Sequence, residues 1–462
     1  MKKIFYSIYT AAFLGICLAP AVLTPFMKSD GSKEKRELGE LPSVKTEDGK
    51  LNFDFFSEFE TYFSEHFAFR QQLVNADGRL KSAVFGTSPN SDVIVGKDGW
   101  LFYGETADDF LRINCLDSRE IGNIAHNLRL MEACCENAGA EFIFFSAPNK
   151  NSMYPEYMPF NYIPSDNASN YQALTAALLG DDFYLDMRES LLSLNSSTPL
   201  YHKTDTHWNN FGAYAGHSFI MAKLGRESCP VSSEWYIKND RLGDLAAMLY
   251  PAEEAKDAQL HNDYEFGYQY TSRFQGLDDL DITTYCESGR GNLLMYRDSY
   301  GEAILPYMAE CFNTAEFSRS EAYDLSGIGE GDTVIVEIVE RNLDRLQKYA
   351  PVMAAPEADI SALTAEKYDG TAELHSRAHR SFTHFFGVLP EDAADGGNYR
   401  VYAVSGGKAY EAFNCFEDRL LGCEGESSSL GFSLYIPTEE INGDIKLVVE
   451  NIGGRTFEID RF

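Results

Sequence analysis

Between Asp117 and Ile338, apolar runs of strand length alternate with segments of helical spacing, and this alternation limits the fold more than any other feature. Ser118 to Gly139 reads as a helix through Ile121, Ile124, Leu128 and Leu130-Met131. Phe142-Ile143-Phe144-Phe145 reads as a buried strand. Tyr171 to Leu179 has helical spacing, Phe183 to Met187 reads as a strand, and a helix follows Trp208 to about Leu224. Leu293 to Met295 and Thr333 to Ile338 are further strands. Such alternation builds an α/β fold, a parallel sheet with helices on both faces. Ligands of these sheets bind beyond the carboxyl ends of the strands. Asn149-Lys150, Ser299 and Glu340-Arg341 stand at such ends.

Two short motifs carry chemistry. In Tyr201-His202-Lys203-Thr204-Asp205-Thr206-His207-Trp208-Asn209, the carboxylate and the imidazole are two residues apart. On an extended segment their side chains share a face. A carboxylate there fixes the tautomer of the histidine and stabilises its cation. In Tyr296-Arg297-Asp298-Ser299-Tyr300-Gly301 a serine stands between a strand and a helical pattern, which presents its hydroxyl at the sheet edge. Each motif has an ordinary reading, a solvated loop for the first and a helix N-cap for the second. His202, Asp205 and His207 also have spacing for a metal, but no further ligands accompany them.

Together the motifs resemble the DHHW protein family and the alginate O-acetylation proteins, a branch of the SGNH hydrolase-like superfamily. The resemblance includes Val93 to Tyr103, Ala147-Pro148-Asn149-Lys150 and Val336 to Arg341, and spans roughly residues 35 to 350. Thr206 stands where the family name has histidine, and Arg297 replaces the glycine of Gly-Asp-Ser. The resemblance implies an SGNH-like sheet and a catalytic set of Ser299, His207 and Asp205. It places oxyanion or substrate roles on Tyr300, Asn149, Lys150, Arg341 and Trp208. The backbone N–H groups of Ser299 and Tyr300 are the expected oxyanion donors.

The chain has 462 residues, 44% of them hydrophobic and 13% aromatic, which is ample for a core and argues against disorder. The net charge of −32 disfavours a nucleic-acid binder. Behind Lys2-Lys3, Ile4 to Met27 carries no charge and is long enough to span a bilayer. The basic flank places the remainder outside the cytoplasm. Ala19-Pro20-Ala21 offers a cleavage site, but the apolar run continues past it and favours an uncleaved anchor over a secreted protein. None of the cysteines has Cys-x-x-Cys spacing, and Cys415 and Cys423 have spacing to close a hairpin.

The expected order is a signal anchor or signal peptide over 1–28, a linker and helical brace over 29–90, an SGNH-like domain over 91–354 and a β-rich domain over 355–462. The brace has an aromatic stripe, Phe56, Phe59, Phe63 and Phe67, expected to be core. Residues 232–289 interrupt the α/β rhythm with Gly243-Asp244-Leu245 and an aromatic ribbon, Tyr264, Phe266, Tyr268, Tyr270 and Phe274. This ribbon is either a sugar platform or ordinary packing. The C-terminal runs Phe382–Val388, Tyr399–Val404, Phe432–Ile436 and Ile445–Val449 read as a small sandwich, either structural or carbohydrate-binding. The function expected is an O-acetyltransferase of an external polysaccharide, needing no cofactor; the resemblance implies a membrane O-acyltransferase partner that supplies the acetyl group. An acetyl esterase or a glycan-binding surface protein is the alternative.

Overall fold

The computed structural model describes residues 2–26, 39–46, 49–85, 88, 90–231, 234–253, 256–370, 373–394, 398–415, 430–451 and 453–459. The uncharged N-terminal run forms helix α1 (Lys2–Leu23). Among the described residues no helix is long and apolar enough to cross a membrane. The brace is two helices, α2 (Phe55–His66) and α3 (Arg70–Phe85). Its aromatic stripe is not core: α2 buries no residue, and Phe56 is 82% exposed. The rings stack along the helix instead, Phe55 on Phe59 at 6.0 Å and Phe59 on Phe63 at 6.5 Å. It is α3 that ties the brace to the main body, through Arg79 on Glu253 at 2.6 Å.

A hairpin, β1 (Val93–Val95) and β2 (Leu101–Tyr103), opens the main domain. Its turn holds Asp98 at φ 55° and Gly99 at φ 81°, and Trp100 after it is buried. Then come α4 (Ala107–Leu111) and α5 (Ser118–Ala138). A capping box of Asp117 and Glu120 starts α5, and Gly139 at φ 75° ends it. Next are β3 (Glu141–Ala147), α6 (Lys150–Met153), α7 (Asn170–Ala177), α8 (Met187–Ser193) and α9 (Asn210–Lys223). The insert supplies β4 (Tyr236–Leu242), α10 (Asp244–Leu249), β5 (Lys256–His261), β6 (Gln269–Tyr270) and β7 (Asp281–Tyr285). Then follow β8 (Asn292–Tyr296), α11 (Gly301–Cys311), β9 (Thr314–Ser318) and β10 (Asp332–Val339).

The central sheet runs β3-β10-β8-β9-β7-β6. Its first four strands are parallel, as the alternation implies. The sheet is not purely parallel, because β7 pairs antiparallel with β9 and β6 antiparallel with β7. The expected strand Phe183–Met187 shrinks to a single bridge between Phe144 and Tyr184. Asp186 is the reason: its side chain accepts the N–H of Glu189 and starts α8. Strand β9 escaped the sequence reading because only five residues of mixed polarity form it. Alternate residues of each central strand face opposite layers. Phe142, Phe144, Val334 and Val336 pack with Ile124 and Leu128 of α5. Ile143, Phe145, Met295 and Ile335 pack with Ile220 of α9 and Ile304 and Met308 of α11. Truncating a buried phenylalanine such as Phe144 costs about 3–5 kcal/mol in cores of this kind.

The C-terminal part is a sandwich. A six-stranded sheet contributes Val401, Ala403, Leu447 and Val449 to the core, and a four-stranded sheet contributes Phe385, Phe432, Leu434 and Ile436. Cys423 lies outside the described residues, and so does the pairing considered for it and Cys415. A buried asparagine pair joins the sandwich to α5. The side chain of Asn127 donates to the Asn414 carbonyl at 2.7 Å and accepts the Asn414 N–H at 3.0 Å. Asn414 in turn donates to Asn123 at 3.0 Å. Removing one partner strands two buried backbone groups. Asn127→Ala is therefore expected to cost on the order of 2–4 kcal/mol, read as a lower urea midpoint with an earlier loss of sandwich structure.

Candidate functional site

Two loops and the start of a helix bring the chemistry together. Asp205 and His207 stand in the loop before α9; Ser299 stands between β8 and α11. His207 Nε2 lies 3.0 Å from Ser299 Oγ. His207 Nδ1 lies 2.8 Å from Asp205 Oδ1, which also accepts the His207 backbone N–H at 2.9 Å. Asp205 is fully buried. Its other oxygen accepts Arg241 Nε at 2.9 Å and the Asp244 N–H at 3.3 Å, and Arg241 Nη2 lies 2.8 Å away. Burial pushes the Asp205 carboxyl up, but the His207 hydrogen bond and the charge of Arg241 win and hold it well below the usual range.

The aromatic residue after each motif fastens the loops to each other. Trp208 Nε1 donates to the Tyr300 carbonyl at 2.9 Å, and Tyr300 Oη donates to the Thr206 carbonyl at 2.9 Å. Both rings are buried and meet edge-on at 5.6 Å. Trp208 and Tyr300 thus hold the backbone that carries His207 and Ser299.

The Tyr300 backbone N–H is not free to meet an oxyanion. It donates to Asp298 Oδ1 at 2.8 Å, and Asp298 Oδ2 accepts the Val339 N–H at 2.8 Å. The preceding carboxylate caps the turn, and the Ser299 N–H stands at the helix start beside the Ser299 hydroxyl. Arg297, in place of the family glycine, is buried and donates to the carbonyls of Leu277 and Asp298 at 2.6 and 3.3 Å. Gly301 makes room for it: a Cβ there would lie 2.6 Å from Arg297 Cβ.

Asn149, Lys150 and Arg341 stand near the strand ends, but not on the cleft at Ser299. Asn149 is fully buried; its side chain donates to Asp109 at 2.8 Å and its N–H to Glu340 at 2.8 Å. Lys150 Nζ donates to the carbonyls of His202, Lys203 and Asp205 at 3.0, 3.0 and 2.7 Å, clamping the histidine loop from beneath. Burial lowers its pKa to about 7. The guanidinium of Arg341 lies over Tyr103 at 5.3 Å and Tyr300 at 5.9 Å. The metal set considered from spacing does not converge, because His202 Nδ1 turns to the Ala258 carbonyl at 3.0 Å. Asp205, His207 and Asp244 do lie together, all within 4.8 Å, but the Arg241 cation already sits on Asp205.

Arg241 and Asp244 were not assigned from sequence. Arg241 lies on β4 with no motif around it. The signal for Asp244 was Gly243-Asp244-Leu245. A Cβ on Gly243 would lie 2.3 Å from the Thr204 carbonyl, so only glycine lets the insert reach the histidine loop. Asp244 Oδ1 then accepts the Thr206 N–H at 2.7 Å.

The cleft at Ser299 holds about 300 Å³ and is lined by His207, Arg241, Tyr264, Phe266, Glu302 and Tyr307, among others. The aromatic ribbon of the insert is therefore one of its walls.

Residues 93–280 match the family described as SGNH hydrolase-like domain, acetyltransferase AlgX. The chain resembles the alginate O-acetylation proteins. The AlgX-like segment holds Asp205 and His207, and Ser299 lies beyond it. A probable alginate O-acetylase AlgJ of Pseudomonas syringae pv. tomato is 25% identical over 235 residues, 51% of this chain and 56% of that relative. The chain spans about half the length of the curated relatives it matches. Among solved structures, a DHHW family protein from Eubacterium siraeum has a TM-score of 0.40 at 15% identity, covering 55% of this chain and 92% of that one. The O-acetyltransferase domain of Pseudomonas putida AlgJ has a TM-score of 0.35 at 16% identity, covering 60% and 96%.

Behind the site, the buried acid Asp109 sits beside Glu340. Burial, with Glu340 second, pushes the Asp109 carboxyl up to about 8. Below the ordinary carboxyl pKa both folded and unfolded chains hold this proton. Between about 4 and 8 only the folded chain keeps it, so stability falls as pH rises. Asp109→Asn should flatten that slope, by on the order of 1–3 kcal/mol between about pH 5 and 8, in urea titrations at fixed salt.

Proposed function

We propose that the chain is an O-acetyltransferase that moves an acetyl group onto a hydroxyl of a polysaccharide, through Ser299, His207 and Asp205. The observation that carries this reading is the hydrogen-bonded line from Asp205 through His207 to Ser299, at 2.8 and 3.0 Å. Neutral His207 takes the proton of Ser299 Oγ as the oxygen attacks the acetyl carbonyl carbon. Asp205 holds the imidazole in the tautomer that leaves Nε2 free and stabilises the cation that forms. The negative oxygen of the tetrahedral intermediate meets the Ser299 N–H. The leaving group departs with the proton from His207, and an acetyl ester remains on Ser299. In the second half a sugar hydroxyl gives its proton to His207 and attacks that ester. The acetylated sugar leaves, and Ser299 regains its proton. Arg241 keeps Asp205 ionised throughout.

The relatives named as alginate O-acetylases support the acetyl-transfer chemistry. A membrane O-acyltransferase supplies the acetyl group in this reading, and the domain works outside the cytoplasm. Protease added to intact cells then degrades the domain; degradation only after lysis reverses this topology.

A small activated acetyl ester is expected to label Ser299, and Ser299→Ala to abolish the labelling in intact-mass spectra. Asp205→Asn should keep the fold and lower turnover on the order of 10⁴-fold, the loss known when a triad aspartate is neutralised. Acetate released with no acetylated sugar at any acceptor concentration would favour an esterase. Absence of both labelling and turnover would leave a glycan-binding role.

A further inference from the structure

The cleft at Ser299 has an aromatic wall, and its one lining arginine among the described residues, Arg241, sits on Asp205. Tyr264, Phe266 and Tyr307 form the wall, with ring centres 5.2 and 5.5 Å apart. Buried Glu310 fixes it: one oxygen accepts Tyr264 Oη at 3.0 Å, the other the N–H groups of Gly267 and Tyr268 at 2.7 and 3.2 Å. The strip continues through Tyr268 to Tyr270 and Phe274, which stack at 3.9 Å and are each 37% exposed. The positive groups of the cleft face protein partners. Two nitrogens of Arg241 converge on one oxygen of Asp205, at 2.9 and 2.8 Å, and His261 bonds Asp240 at 3.0 Å. His202 faces the Ala258 carbonyl, and His207 serves Ser299. Glu302 is the carboxylate facing the cleft, with Arg319 and Arg297 no nearer than 3.7 and 3.9 Å. Along the strip, residues 263–281 carry five acids (Asp263, Glu265, Asp278, Asp279, Asp281) against one base, Arg273.

We propose, on the basis of the acetyl-transfer reading above, that the acceptor is an uncharged glycan whose rings lie on the partly exposed Tyr264 and Phe266, backed by buried Tyr307, and that polyuronates are excluded. Sugar C–H faces pack on aromatic rings without any charge partner. A polyuronate would bring a carboxylate with each ring toward Glu302 and a strip that carries five acids against one base. Asp205 already shares the charge of Arg241, the one arginine lining the cleft among the described residues, and the chain's net charge of −32 opposes the approach of a polyanion from solution. Glu302 suits the opposite role, accepting a hydrogen bond from a sugar hydroxyl beside Ser299.

The test uses the full-length protein in detergent, charged with p-nitrophenyl acetate. Three acceptors of equal length compete: a neutral β-glucan oligosaccharide, an oligomannuronate and a glucosamine oligomer. Acetyl esters on each glycan are counted by mass spectrometry. The neutral glycan is expected to exceed the uronate in kcat/KM by about tenfold or more at low salt, with the gap narrowing at about 0.5 M salt. Phe266→Ala should raise KM for the neutral glycan about tenfold more than it lowers kcat, and Phe266→Tyr should restore it. Equal or better acetylation of the uronate overturns the proposal while the transferase stands. Preference for the glucosamine oligomer overturns it as well. Acylated Ser299 that releases only acetate, with no acetylated glycan in any arm, sinks the transferase reading and this inference with it.

Discussion

The site depends on a reciprocal pair of hydrogen bonds. Trp208 reaches across to the carbonyl of Tyr300, and Tyr300 reaches back to the carbonyl of Thr206. Each ring is buried, so each polar tip must find a partner or lose the desolvation energy of a hydrogen bond. The only geometry that satisfies both sets the histidine loop against the serine turn. The distance from His207 to Ser299 is then fixed by backbone contacts two aromatic rings wide, not by the hydrogen bond between them. Lys150 does the same from below, with its ammonium under three carbonyls of the histidine loop. A catalytic group set by its supports keeps its geometry while protons move through it.

Buried charge is concentrated along the carboxyl ends of the central strands. Asp205 stays ionised because His207 and Arg241 outweigh its burial. Glu337 goes the other way: burial, and next Asp298, raise its pKa well above the usual range. Its oxygen accepts the Asp298 N–H, while Asp298 itself holds the amides of Tyr300 and Val339. Two acids with opposite environments therefore build the serine turn and the histidine loop at the same end of the sheet. Such divergence between neighbouring acids is what separates a supporting carboxyl from one that holds a histidine cation.

The sheet was legible because period and length agree: strand-length apolar runs, bounded by capped helices, leave little choice. The Asp205, His207 and Ser299 convergence was legible because each motif is local and each sits where a strand or helix begins. Direction was not legible. The strand-end rule located Asn149, Lys150 and Arg341 along their strands, but it says nothing of which way a side chain turns, and Asn149 and Lys150 turn inward. The Tyr300 amide looked like an oxyanion donor because sequence shows a donor and not the Asp298 carboxylate that takes it. Arg241 comes from 36 residues away on an unremarked strand, so only the fold could bring it to Asp205. The stripe on α2 shows the converse: periodicity makes a face apolar without supplying anything to cover it.

The aromatic ribbon also finishes the sheet. Gln269 and Tyr270 pair with Tyr285 and Thr284 of β7, and the Thr271 N–H reaches the Thr283 carbonyl at 2.8 Å. Without this short strand, β7 would present an unpaired row of amides and carbonyls to solvent, the template on which chains join edge to edge. A substitution that loosens the ribbon also bares that row. Solubility and the shape of the cleft wall are thus carried by one strip of backbone, and neither can drift without the other.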